Sequence, residues 1–99
     1  MGAVEIRVSY IGPLRHVLNC KEERLRLEPP VTVRTVLDHL IRERGEHLRD
    51  VFYNVQGWLD PRILFLIDGQ RPEAREGLDT PISGKEEIQI VMGIPMSGG

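Results

Sequence analysis

The residues best placed to do chemistry are the last two, Gly98 and Gly99, because a carboxylate on Gly99 stands on the least hindered residue available. Glycine has no Cβ. A Gly-Gly end therefore threads a narrow channel, takes whatever φ a partner imposes and leaves its carbonyl open to attack. Ahead of it lies a β-like run, Glu87 to Met92, and then Gly93-Ile94-Pro95-Met96-Ser97-Gly98-Gly99, which lacks helical periodicity. Held extended, the residues from 93 onward reach about 23 Å, enough to enter another protein's active site.

Other chemistry is thinly represented. The one Cys or His within four positions of His16, His39 or His47 is Cys20, four after His16, and with no further Cys or His beside that pair the three do not make a ligand set and read as surface histidines. Cys20 stands at the end of a short apolar turn beside Lys21 rather than at a helix start, which favours a structural or neutral thiol over a nucleophile. A single cysteine also closes no intrachain disulfide.

Composition bounds the remainder. Ninety-nine residues, 40% hydrophobic and 28% charged, suit one small domain spanning 1–99, with 93–99 as a functional tail. Thirteen Lys and Arg are scattered among fifteen Asp and Glu for a net charge of -2, which argues against nucleic acid as the main partner. Arg34, Arg42, Arg44 and Arg49 read as a solvated helix face. With no apolar run long enough to span a membrane and no secretory leader, a cytoplasmic protein is expected.

The elements that must position the tail follow from periodicity. Val4, Ile6, Val8 and Tyr10 alternate with Glu5, Arg7 and Ser9, predicting a half-buried strand ended by Gly12-Pro13. Leu14 to Asn19 suits a short helical turn, and Leu25 and Leu27 alternating with Arg24, Arg26 and Glu28 predict a second strand before Pro29-Pro30. Thr32 is placed to cap a helix whose stripe is Val33, Val36, Leu37, Leu40 and Ile41, stopped by Gly45. After an irregular stretch with Phe52, Tyr53 and Trp58, Ile63 to Ile67 reads as a central strand turned at Asp68-Gly69. Another short strand or turn fits between Arg71 and Leu78, and Ile88 to Met92 forms the last strand. The order ββαββ is that of an α+β, β-grasp (ubiquitin-like) fold: a mixed sheet on one main helix, with a flexible Gly-Gly tail. A [2Fe-2S] cluster, which some β-grasp proteins carry, needs four cysteines and is excluded by Cys20 alone.

Six features in order carry a resemblance: Tyr10-x-Gly12-x-Leu14-Arg15, Thr32-Val33, Asp68-Gly69, Gly77-Leu78-Asp79-Thr80-Pro81, Glu87-Ile88 and Ser97-Gly98-Gly99. Together the chain resembles the ubiquitin-like sulfur carriers of the MoaD/ThiS family, most of all the small subunit of molybdopterin synthase. One departure is Ser83-Gly84-Lys85-Glu86, where such carriers often have Asp-Gly-Asp-Glu. The turn glycine is kept, while acidic contacts to a partner are put in question.

The resemblance implies a sulfur donor that is not catalytic alone. A carboxylate must be activated before sulfur can replace its oxygen, and in the family an E1-like adenylating enzyme uses ATP to adenylate the terminal glycine. Persulfide sulfur then displaces AMP and leaves a thiocarboxylate, here on Gly99 with Gly98 beside it. The tail next enters the synthase large subunit, where sulfur passes to a cyclic pterin precursor. No cofactor is expected on this chain itself, and neither metal, nucleic acid nor membrane is expected as a ligand. The same end also suits a carrier for thiamine or tRNA thiolation, or a modifier joined to target lysines. A β-grasp interaction module with idle glycines is a further alternative.

Partner contacts are expected from Ile94, Pro95, Met96 and Ser97 of the tail and from the outer side of the sheet. Both parities of Ile63 to Ile67 are apolar, so something covers the outer one. If Leu64 and Leu66 face the helix, then Ile63, Phe65 and Ile67 point outward beside Val91, and Phe65 and Val91 become docking residues. The alternative is that Phe52, Tyr53 or Trp58 folds over that side.

Overall fold

In a computed structural model, which describes residues 2–71 and 77–93, the alternating residues of the first segment form β1, Val4–Ile11, with Ile6, Val8 and Tyr10 buried and Glu5 and Arg7 exposed. A short helix, α1 (Leu14–Leu18), turns the chain into β2 (Glu22–Leu27), which runs antiparallel to β1 with Ile6 opposite Leu25. The main helix, α2 (Val33–Arg44), starts where its sequence signals place it. Thr32 accepts from the Thr35 amide and Thr35 Oγ1 accepts from the Thr32 amide, each at 3.2 Å, so two amides at the helix start gain partners. Gly45, at φ +135°, ends the helix by donating to the Ile41 carbonyl.

The stretch after α2 is partly regular. A 3-10 turn, Glu46–Leu48, leads into α3 (Arg49–Phe52), and Leu48, Phe52 and Tyr53 join the core on the helix side. Tyr53 donates to Asp38 of α2 at 3.0 Å, which ties this stretch to the helix rather than over the sheet's outer side, and Trp58 is 70% exposed. Burial and the Asp38 carboxylate both raise the Tyr53 phenol well above its ordinary range. β3 (Ile63–Ile67) then turns at Asp68-Gly69, where φ values of 52° and 80° and paired hydrogen bonds between Ile67 and Gln70 make the tight reversal that Asp-Gly favours. The expected short element between Arg71 and Leu78 falls mostly outside the described residues; Gly77–Asp79 is a 3-10 turn. The final strand is β4, Glu87–Met92.

The sheet order is β2-β1-β4-β3, with β1 and β4 parallel in the middle and the outer pairs antiparallel. Residues 63–67 therefore form an edge strand, not a central one, among the described residues. Their inward parity is also the opposite of the one considered from sequence. Phe65 is 1% exposed and Ile63 5%, Ile67 packs against the core, and Leu64 and Leu66 are the partly exposed side chains. Its neighbour decides this. In β4, Ile88 and Ile90 alternate with the more polar Gln89, which fixes that strand's buried face, and the register sets Phe65 opposite Ile90 and Leu64 opposite Val91. Phe65 is thus a core residue and is withdrawn as an outward docking residue; Val91 stays on the outer face, half-buried.

One polar cluster joins the sheet to the helix. Glu23 of β2 accepts from the buried Tyr10 hydroxyl at 2.6 Å and pairs with Arg44 at the end of α2, while Arg44 also donates to the Leu18 carbonyl at 3.1 Å. The arrangement supplies the partner that a buried tyrosine hydroxyl needs. Desolvation, then Glu23, drives the Tyr10 phenol far above its usual range, and the same two causes raise the Cys20 thiol. Cys20 thus sits against a carboxylate, the wrong sign of charge for a reactive thiolate.

Phe65→Ala is expected to cost about 3–5 kcal/mol in chemical denaturation, as for other buried aromatic truncations, and Leu64→Ala about 1 kcal/mol or less. Equal losses would contradict the inward and outward parities of β3.

Candidate functional site

β1 and β4 run parallel while β3 runs against them, so the end of β1, the start of β3 and the end of β4 meet at one corner of the sheet. That corner is the root of the segment that carries Ile94, Pro95, Met96, Ser97, Gly98 and Gly99. Those six residues lie outside the described residues, and the structure bears on the body that presents them.

The root is held through its backbone. Gly93 donates to the Arg62 carbonyl at 2.8 Å, continuing the β3–β4 ladder one step past Met92. Arg62 is itself fixed by Asp60: its amide and Nε donate to Asp60 Oδ1 at 2.9 and 3.0 Å, and its Nη2 to Oδ2 at 3.2 Å. These hydrogen bonds favour the ionised form and hold the Asp60 carboxyl below its usual range. On the opposite side of β4, β1 passes through Ile11 into Gly12, and Arg15 of α1 reaches back to donate to the Tyr10 carbonyl at 3.0 Å.

The outer face of the sheet is divided. Register places Ile11, Val91 and Leu64 in one row, with Leu66 beside Gln89 in the next; Ile11, Val91, Leu64 and Leu66 are all half-buried, making an apolar corner at the root. Farther along, Arg24, Arg7 and Glu87 share a row, Arg26 faces Glu5, and Arg7 pairs with Glu22 at 3.2 Å. The solvated charges are therefore gathered away from the root and the apolar side chains toward it.

Sequence reading placed Val91 on this surface, chose Phe65 where the fold presents Leu64 and Leu66, and missed the Asp60–Arg62 brace. The Asp-Pro-Arg spacing was the only available hint of that brace. The turn before β4 keeps its glycine and uses its acidic residue internally. Glu86 folds back to accept from the Ser83 and Gly84 amides and the Ser83 hydroxyl at 3.0–3.2 Å, so the acidic residue kept there serves the turn itself. Among the described residues no three His, Cys, Asp or Glu side chains gather to hold a metal, and no helix is long and apolar enough to cross a membrane.

With this geometry in hand, comparison with solved structures is informative. The small archaeal modifier protein 1 of Methanosarcina acetivorans is 28% identical, with all of both chains covered and a TM-score of 0.74. The HVO 2177 protein of Haloferax volcanii gives a TM-score of 0.80 at 19% identity over 97% of this chain and 89% of that one. This is the ubiquitin-like β-grasp fold. A Pyrococcus furiosus protein assigned provisionally as molybdopterin converting factor subunit 1 matches at 16% identity and a TM-score of 0.67, over 92% of this chain and 99% of its own. No protein-family model matches the chain, and no curated protein matches it in sequence. The resemblance to MoaD/ThiS-type carriers drawn from its motifs extends to its three-dimensional neighbours.

The brace at the root predicts a pH dependence. Asp60 has a folded-state pKa below its ordinary 3.8, so its contribution is complete above that value and is lost as pH falls through the lower, folded one. The stability advantage of wild type over Asp60→Asn should be constant near neutral pH and shrink below pH 3.8. Thermal unfolding of both proteins across the acid range measures it, and a gap that widens on acidification would reverse the assignment.

Proposed function

We propose that this chain is a ubiquitin-like sulfur carrier whose Gly99 carboxylate becomes a thiocarboxylate, and that it serves as the small, sulfur-donating subunit of a molybdopterin synthase. The observation that carries the reading is the apolar corner of Ile11, Val91, Leu64 and Leu66 standing beside the root of a Gly-Gly segment. A partner that covers the corner receives the segment in a defined place. The remaining residues then only need to span from there to a reactive centre.

The chemistry belongs to the partners, and the chain supplies the group that is carried. A carboxylate oxygen of Gly99 attacks the α-phosphorus of ATP in the E1-like enzyme, forming an acyl-adenylate and releasing pyrophosphate. The terminal sulfur of a protein persulfide then attacks the acyl carbon, and AMP departs with the oxygen. A second thiol cleaves the resulting sulfur–sulfur bond, leaving the thiocarboxylate on Gly99 and a disulfide on the sulfur source. In the synthase large subunit this sulfur is donated to a pterin precursor, and the carboxylate is restored for another cycle. Gly98 and Gly99 fit such traffic because both active sites must enclose a main chain with no side-chain bulk.

Docking on the apolar corner offsets part of the cost of ordering the segment, about 1–2 kcal/mol for each residue fixed. Both the adenylating enzyme and the large subunit use that corner in this reading, so they bind in turn rather than together. The likeness to a small archaeal modifier favours a second reading in which the activated Gly99 is passed to a target lysine. The two share activation and differ in the acceptor.

Coexpression with an E1-like enzyme and a persulfide source should add about 16 Da to the intact chain, the exchange of one oxygen for sulfur on a carrier. Deleting Gly99 should abolish the gain while changing stability by less than about 0.5 kcal/mol. Val91→Asp and Leu64→Asp should weaken binding to the enzyme by more than about tenfold, the scale of a hot-spot loss. A chain that keeps its unmodified mass with an enzyme active on another carrier would refute the proposal. Lysine-linked conjugates in place of pterin sulfuration would select the modifier reading.

A further inference from the structure

The peptide unit joining Met92 to Gly93 is hydrogen-bonded on one side and closely approached on the other. Its N–H, on Gly93, donates to the Arg62 carbonyl at 2.8 Å. Its C=O, on Met92, faces the turn at the end of β1, where a Cβ on Gly12 would stand 2.5 Å from the carbonyl oxygen, 3.6 Å from its carbon and 3.9 Å from the Met92 nitrogen. All three nearest atoms are backbone atoms of the same residue, and nothing there is a flexible side chain that can swing away. Gly12 also has φ +79°, a conformation that side-chain-bearing residues rarely adopt.

A peptide unit is planar, so its C=O and N–H turn together. Crowding the Met92 oxygen therefore rotates the Gly93 N–H away from Arg62 and changes the direction in which the following residues leave the sheet. We propose that Gly12, remote in sequence from the tail, is a positioning residue that aims the tail, resting on the reading of Gly99 as the group that is activated. Gly93, although it is the tail's own first glycine, has no such role. A Cβ there meets only the Arg62 oxygen at 3.8 Å, an ordinary contact, so its backbone does not require glycine.

The turn geometry explains why aim rather than attachment is at stake. Gly12 accepts from the Arg15 amide at 3.1 Å as α1 begins, and Leu14 is fully buried in the core, so the turn itself is anchored. Asp60 anchors Arg62 on the other side through three hydrogen bonds. The exit vector is set between two fixed points. The apolar corner, made of side chains on β1, β3 and β4, is left in place when the vector changes.

The test uses full-length chain carrying Gly12→Asn, Gly12→Ala or Gly84→Ala. Asn tolerates positive φ better than Ala, so it brings the Cβ against Met92 with less backbone strain. Gly84 is the strain control, since it has φ +102° and a Cβ there collides with the Val4 side chain at the far end of β1. Hydrogen exchange of the Gly93 amide and ATP–pyrophosphate exchange with the E1-like enzyme are the two readouts. For both Gly12 variants, Gly93 should exchange faster by about tenfold or more. Their kcat should fall by about 100-fold, the scale of a 1 Å misplacement, with KM held within about twofold because docking is retained. Folded Gly84→Ala should match wild type in both. A folded Gly12 variant with wild-type Gly93 protection and kcat would overturn the proposal, as would fast exchange of Gly93 in the wild type or an equal kcat loss in Gly84→Ala. If wild type itself supports no pyrophosphate exchange, the carrier reading fails, while the Gly93 amide still reports whether Gly12 controls the exit.

Discussion

Parallel pairing of β1 with β4 is the constraint on which the other arrangements depend. It places strands from opposite ends of the chain side by side at the middle of the sheet, with Val8 against Ile88 and Tyr10 against Ile90 on the buried face. Parallel neighbours need a long crossover, and the intervening chain supplies it as α2 and the segment through α3, which cover that same face. Because the two strands end together, the β1 turn and the root of the tail meet.

The two faces of the sheet answer different demands. The inner face is closed by aliphatic side chains around Tyr10 and Phe65, and the Tyr10 hydroxyl is satisfied by Glu23 and so joined to Arg44 of α2. On the outer face charge and apolar area are segregated: rows of Arg and Glu occupy β2 and the first half of β1, while Ile11, Val91, Leu64 and Leu66 lie beside the tail root. The charged rows also protect the β2 edge, where exposed Arg24 and Arg26 discourage pairing with another chain. The apolar corner is the part of this surface that gains from being covered.

In the proposed function, labour is divided between the folded body and a short end that is activated. The body's contribution is geometric, since Gly93 is hydrogen-bonded to Arg62 and Gly12 leaves room beside the Met92 carbonyl that a Cβ would fill. Chemical power in that proposal comes from the enzymes that activate and discharge the end. Reactive side chains on the body would add little, and those present are suited to structure: Cys20 is kept as a thiol by burial and Glu23, and Glu86 is consumed by its own turn.

Strand alternation, the Thr32 cap, the Gly45 stop and the Asp68-Gly69 reversal are legible in the sequence because each depends on residues within a few positions of one another. The Gly-Gly pair is likewise a matter of residue type, and the chemistry proposed for it rests on that type and not on the fold. The face of 63–67 could not be read in this way, since five consecutive apolar residues carry no period, and only pairing with the alternating β4 turned Phe65 inward and left Leu64 and Leu66 outside. Its edge position was hidden for the same reason: an apolar outer parity resembles a doubly covered central strand when it is in fact one side of a corner. Gly12 was visible as the end of a strand, but its contact with Met92 depends on which strands become neighbours, and that is decided by tertiary pairing alone.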